Sequence, residues 1–158
     1  MLGGLARWLR MLGYVTEYDS KADDNNLLQK SNDPDAILLT RDEELHDRAV
    51  ARKVHSVLVL GGNEETRLGQ LARTLRISLE IDMSVTRCPE CGSELHEITR
   101  EEAVSTVPPK SLELYDRFWR CTRRECGKTY WVGSHWNQIR RALEEARKVM
   151  SSEMGVKC

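Results

Sequence analysis

The sequence predicts a parallel α/β domain followed by a small cysteine-rich satellite and a terminal helix. Three observations carry that prediction. Strand-sized apolar runs alternate with helix-period patterns over residues 1–82, the signature of β-α-β units and a parallel sheet. Two cysteine pairs, Cys88/Cys91 and Cys121/Cys126, fall in residues 83–133, and no cysteine precedes them. From Ser134, placed as an N-cap, a helical pattern runs to about Met150, leaving residues 151–158 as an expected flexible tail.

Taken in order, Leu2, Leu5, Leu9 and Leu12 make one apolar helical stripe, with Arg7 and Arg10 off it and Gly13 as its stop. A short extended piece, Val15–Tyr18, is expected next. Asp23 or Asp24 then caps a helix through Asn26-Leu27-Leu28, and Pro34 ends it. Ala36–Thr40 reads as a buried strand, Glu43–Arg52 as a helix, Val54–Leu60 as the next strand closed by Gly61-Gly62. Leu68, Leu71, Ala72 and Leu75 mark the last inward helical face of this half. Ligands of parallel sheets gather beyond the carboxyl ends of the strands, where Thr40, Arg41 and Asp42 stand.

Composition narrows the function. At 158 residues, 40% hydrophobic and 31% charged, the chain is too apolar for global disorder and too charged for a membrane bundle. Its longest apolar runs, such as Val57–Leu60, fall far short of the roughly 20 residues a membrane span requires. Net charge is −1, with a more acidic first half and a mildly basic second half. That split suits a catalytic region beside a polyanion-holding one, and it suits ordinary surface variation equally. Five cysteines, an odd count, together with Arg7 and Arg10 interrupting the N-terminal apolar stretch, argue against a secreted disulfide framework. A reducing cytoplasm is expected, with an Arg-containing transit peptide as the alternative reading of the N-terminus.

Cys88-Pro-Glu-Cys91-Gly and Cys121-Thr-Arg-Arg-Glu-Cys126-Gly have the form of two zinc knuckles. Four thiolates satisfy tetrahedral zinc completely, so such an ion holds structure and does no chemistry. Gly92 and Gly127 let each turn curl toward its sulfurs. Two hairpin-like stretches are expected between the pairs, one zinc is expected per chain, and Cys158 is left over as an exposed tail thiol. His96 and His135 are the substitute ligands. Asp42 is the sharpest catalytic candidate, with Asp23 and Asp24 able to face the same edge, although both Asp42 and Asp24 read first as helix caps. Hard oxygen ligands of this kind would hold magnesium or manganese.

MLGGLARWLRMLGY, KADDNNLL, LLTRDEEL and CPECG…FWRC…CGKTYWVGSHW together resemble the Mut-seven C-terminal ribonuclease domain family over about residues 1–145. The resemblance implies a PIN-like nuclease fold joined to a zinc ribbon, and divalent-metal-dependent hydrolysis of RNA. It implies Asp42 as a metal ligand, Asp24 or Asp23 as the second acid, and Thr40 as their hydrogen-bonding neighbour. It also implies an upstream strand ending in aspartate, ahead of the segment that Met1-Leu2-Gly3 matches. The expectation is therefore a shortened product, lacking roughly ten residues and cleaving weakly on its own. The alternative is a non-catalytic RNA-binding or adaptor module. Arg7, Arg10 and Arg41 are candidate phosphate contacts. Phe118-Trp119-Arg120 and Tyr130-Trp131 could stack on bases or fill the ribbon core. His135-Trp136 beside Arg140 and Arg141 could line a seam between the halves. RNA is the expected partner, no membrane is involved, and a homodimer is left open.

Overall fold

The computed structural model describes the backbone of residues 2–156 and the side chains of residues 2–152, so Met1, Lys157 and Cys158 lie outside the described residues. The expectations placed on the free Cys158 thiol and on the chain start at Met1 therefore lie there too. The architecture is mixed α/β, with two small sheets, flanking helices and a cysteine cluster.

β1 (Leu38–Thr40) and β2 (Ser56–Leu58) pair in parallel, Leu38 opposite Ser56 and Thr40 opposite Leu58, and α3 (Glu43–Ala51) makes the crossover. Side chains alternate across a strand, so one face of this pair serves each of two cores. Leu38 packs with Leu28 of α2 (Asp24–Lys30) and with Leu45, Ala49 and Val54. Leu39, Val57 and Val59 face the larger core, built by Leu5 and Leu9 of α1 (Gly3–Met11), Leu68 and Leu71 of α4 (Glu64–Leu75), and Leu143 and Ala146 of α7 (Trp136–Val156). The terminal helix is thus a wall of the α/β half.

Among the described residues the parallel sheet has these two strands and no more, narrower than the expected PIN-like sheet. Both strands are shorter than the apolar runs that predict them. The Val54 N–H bonds back to the Ala49 carbonyl at 2.9 Å and closes α3, so it is not free to extend β2. Ile37 is exposed, ahead of the first paired residue. The expected strand Val15–Tyr18 does not form either. Val15 is 79% exposed and the segment joins no ladder, because nothing apolar covers it.

The second sheet is antiparallel, in the order β3 (Leu95–Ile98), β4 (Phe118–Cys121), β5 (Thr129–Tyr130). In place of the expected hairpin-like stretches, two short helices join β3 to β4. Thr99 and Glu102 form a capping box that starts α5 (Arg100–Ala103), and Pro109 supplies the fixed φ that opens α6 (Pro109–Leu114). Ile98, Ala103, Val107 and Phe118 make this half's own core. The terminal helix opens at Trp136, two residues after Ser134, and runs past Met150 to Val156, through most of the stretch expected as a flexible tail. Among the described residues no helix is long and apolar enough to cross a membrane.

Candidate metal centre and strand-end acids

Each cysteine pair is shaped by its own turn. In the first, the Gly92 N–H donates to the Cys88 carbonyl and the Cys88 N–H to the Ser93 carbonyl, both at 2.8 Å. Gly92 sits at φ +81, a conformation that glycine reaches without strain. In the second, the N–H groups of Cys126 and Gly127 both converge on the Arg123 carbonyl. Register then brings the turns together, since Cys121 ends β4 opposite Leu95, the first residue of β3.

The result is four sulfur atoms within 4.8 Å of one another. Cys91 Sγ lies 3.4 Å from Cys121 Sγ, and Cys88 Sγ lies 3.7 Å from Cys126 Sγ. A tetrahedron of ~2.3 Å metal–sulfur bonds has edges of about 3.8 Å, so this spacing could hold a metal ion such as zinc. The Tyr130 hydroxyl is 3.1 Å from Cys88 Sγ, a contact outside the four ligands.

Three of the thiols are pushed away from the ordinary cysteine value in opposite directions. Burial works to raise the Cys91 thiol, but hydrogen bonds from Ser93, Cys121 and Cys88 outweigh it and hold the thiol at about 6. Burial, then the neighbouring sulfurs, pushes Cys121 up to about 12 against a backbone hydrogen bond from Arg123. Burial likewise raises Cys126 and the Tyr130 hydroxyl. Four thiolates cannot share so small a volume without a cation to balance them.

The acids are arranged differently. Thr40 ends β1, and its hydroxyl accepts the Asp42 N–H at 3.0 Å. Asp42 is exposed and caps α3, accepting the Leu45 N–H at 3.1 Å. Asp23 caps α2 through the Asn26 N–H at 2.8 Å. Asp24 is paired with Arg48 of α3 at 3.1 Å, and Arg48 also holds Asn25, which pins α2 to α3. Among the described residues the cysteines are the one group of three or more His, Cys, Asp or Glu that converge as metal ligands. His96 and His135 are exposed and stand outside that group.

Across the whole chain, residues 1–143 match the Mut7-C RNAse domain. The chain belongs to the Mut7-C RNAse domain family. No curated protein and no solved structure matches it.

Within this Mut7-C domain the candidate RNA contacts are unequal. Arg41 is exposed at the sheet's carboxyl edge. Arg7 pairs with Glu90 at 2.9 Å, and Lys128 approaches the same carboxylate at 3.8 Å. Arg10 is buried, with its Nε and Nη1 committed to three backbone carbonyls. The helical stripe hides this, because period locates a side chain on its own helix and says nothing of a loop from elsewhere in the chain. Of the aromatics in this half, Phe118 and Trp119 are core, whereas Tyr130 and Trp131 are half-buried. Phe118 is 0% exposed, Trp119 is buried, and Trp131 packs against Phe118 with ring centroids 6.4 Å apart. Arg120 donates to the Glu102 carbonyl at 2.8 Å, an exposed contact. His135 lies in the turn that enters α7, its carbonyl accepting the N–H groups of Gln138 and Ile139. Nothing in the sequence points to Tyr130 as a neighbour of Cys88, since only the β4–β5 register brings it there.

Proposed function

We propose that this Mut7-C domain is a ribonuclease that hydrolyses RNA phosphodiester bonds at the carboxyl edge of the β1–β2 pair, with one structural zinc held by Cys88, Cys91, Cys121 and Cys126. The observation that carries the reading is the family match over residues 1–143. The α/β half is read as PIN-like, with helices on both faces of parallel strands. A reducing compartment such as the cytoplasm suits four free thiols.

On this reading Asp42 is the acid at the reacting edge. Its cap bond to Leu45 occupies one oxygen, which leaves acceptor capacity facing solvent beside the exposed Arg41. Thr40 orients the Asp42 backbone, and Asp24 or Asp23 is the second acid. A magnesium or manganese ion would supply a lowered water pKa and charge stabilisation. Asp23, Asp24 and Asp42 do not form a three-ligand group among the described residues, so such an ion would take one or two of these carboxylates and complete its shell with water and RNA phosphate oxygens. A second reading is an RNA-binding module without cleavage, in which Asp23 and Asp42 serve as helix caps and Asp24 as the partner of Arg48.

Single-stranded RNA incubated with and without divalent cations separates the two. Asp42→Asn keeps a capping oxygen but removes the charge, whereas Asp42→Ala removes both and should cost about 1 kcal/mol of stability. Cleavage is expected to need the cation and to vanish in Asp42→Asn at unchanged melting temperature. Cleavage that survives this substitution would place the acids elsewhere. Salt-sensitive RNA binding without cleavage would establish the second reading.

A further inference from the structure

Arg10 lies off the leucine stripe of α1, yet it is only 7% exposed. Its Nε donates to the Thr16 carbonyl at 3.0 Å, and its Nη1 donates to the carbonyls of Pro89 at 3.0 Å and Glu90 at 3.3 Å. Pro89 and Glu90 are the two residues between Cys88 and Cys91. The first metal-ligand turn therefore aims two backbone oxygens at a guanidinium from the other half of the molecule.

Other ties run through the same place. The Arg87 N–H donates to the Arg10 carbonyl at 2.9 Å, and the Thr86 hydroxyl donates to the Met11 carbonyl at 2.8 Å. A Cβ on Gly92 would meet Arg10 Nε at 3.0 Å and the Thr16 carbonyl at 3.2 Å, so the glycine is required by the approach as well as by its φ. Arg7 adds an exposed ion pair to Glu90.

We infer that Arg10 is a positioning residue for the metal centre, and that metal occupancy is thereby coupled to the end of α1 and to the segment Leu12–Thr16. An arginine's planar fork is preorganised, so little freedom is lost per hydrogen bond it makes. By fixing the Pro89 and Glu90 carbonyls it presents Cys88 and Cys91 already turned toward Cys121 and Cys126. Ligands ordered beforehand bind more tightly, since less ordering is left to the binding step. Linkage makes the effect mutual: a metal that holds the turn also holds Arg10, and through it the helix end. This coupling rests on the metal reading of the four cysteines and is independent of whether RNA is cleaved.

The test uses the full chain, loaded with zinc and then stripped with a chelator. Wild-type zinc content is read first, and a folded chain that takes no zinc overturns the metal reading and this inference with it. With zinc bound, stripping should speed amide exchange at residues 12–16 as well as at 86–94, while α3 stays protected. Exchange at 12–16 that ignores zinc overturns the coupling alone. Arg10→Lys, which keeps the charge but loses the fork, and Arg10→Met should each weaken zinc affinity at least tenfold in competition with a chromophoric chelator, with one zinc still bound at saturation. Wild-type affinity in both variants overturns the positioning role. Should both variants fail to fold, the wild-type exchange comparison decides the question by itself.

Discussion

Cys88→Ser is expected to abolish metal binding and to unfold residues 87–133 while the α/β half persists. Cys88 is fully buried, and the serine left in its place offers a hard, weakly acidic oxygen where a soft thiolate is wanted. Structural zinc in zinc-finger peptides contributes about 10–16 kcal/mol of apparent folding free energy, comparable to the ~5–15 kcal/mol net stability of a whole domain. The ribbon's remaining core, Ile98, Ala103, Val107 and Phe118, is too small to replace it. The α/β half keeps its two cores of leucines and should outlast the ribbon. Native mass spectrometry should report one zinc per wild-type chain and none in the variant. A chelator applied to the wild type should collapse exchange protection first at 87–133, accompanied only by the helix end that Arg10 ties to it. A folded protein carrying four free thiols and no zinc would refute this account of the ribbon.

The second large effect lies where α4 crosses α7. A Cβ added at Gly69 would lie 2.4 Å from the Ala146 carbonyl oxygen and 2.8 Å from Val149 Cβ. The oxygen is backbone, so relief requires α7 itself to move. Alanine in a helix interior ordinarily gains about 1 kcal/mol over glycine, so the sign is a contest between propensity and packing. At 2.4 Å packing wins. Gly69→Ala should destabilise by roughly 1–3 kcal/mol, with Gly69→Val worse. Gly62, where an added Cβ would have nothing within 4 Å, is the control: Gly62→Ala should stay within about 0.5 kcal/mol. Chemical denaturation with an unchanged slope would measure both. A neutral or stabilising Gly69→Ala would show that the two helices separate at little cost.

What could be read from the residues depends on how local the determining physics is. The cysteine cluster was legible because thiolate spacing and the following glycines are properties of short turns. The β-α-β unit was legible through its apolar periods, and Asp23 and Asp42 cap the helices their positions suggest. The two helices between β3 and β4 escape a reading dominated by the ribbon pattern, although Thr99-x-x-Glu102 and Pro108-Pro109 announce them locally. Arg10 was not legible at all: two of its three carbonyl partners are residues 89 and 90, and no periodicity encodes a contact that distant. Whether carboxylates converge is equally a matter of tertiary placement, which is why caps and metal ligands look alike in the sequence.

The helical excursion between β3 and β4 changes how the ribbon must assemble. Pairing Ile98 with Phe118 requires a loop spanning residues 99–117 to close, and loop closure is an entropy that grows only logarithmically, about 0.6 kcal/mol for each doubling of length. Against that small cost, the excursion delivers Ala103 and Val107 onto Phe118. The capping box satisfies the first N–H groups of α5 from residues close in sequence, so part of the loop's order comes from local contacts. The β3–β4 ladder thus ties the two parts of this half together, with Ile98 and Phe118 on the excursion's core at one end and Leu95 and Cys121 beside the cysteine cluster at the other.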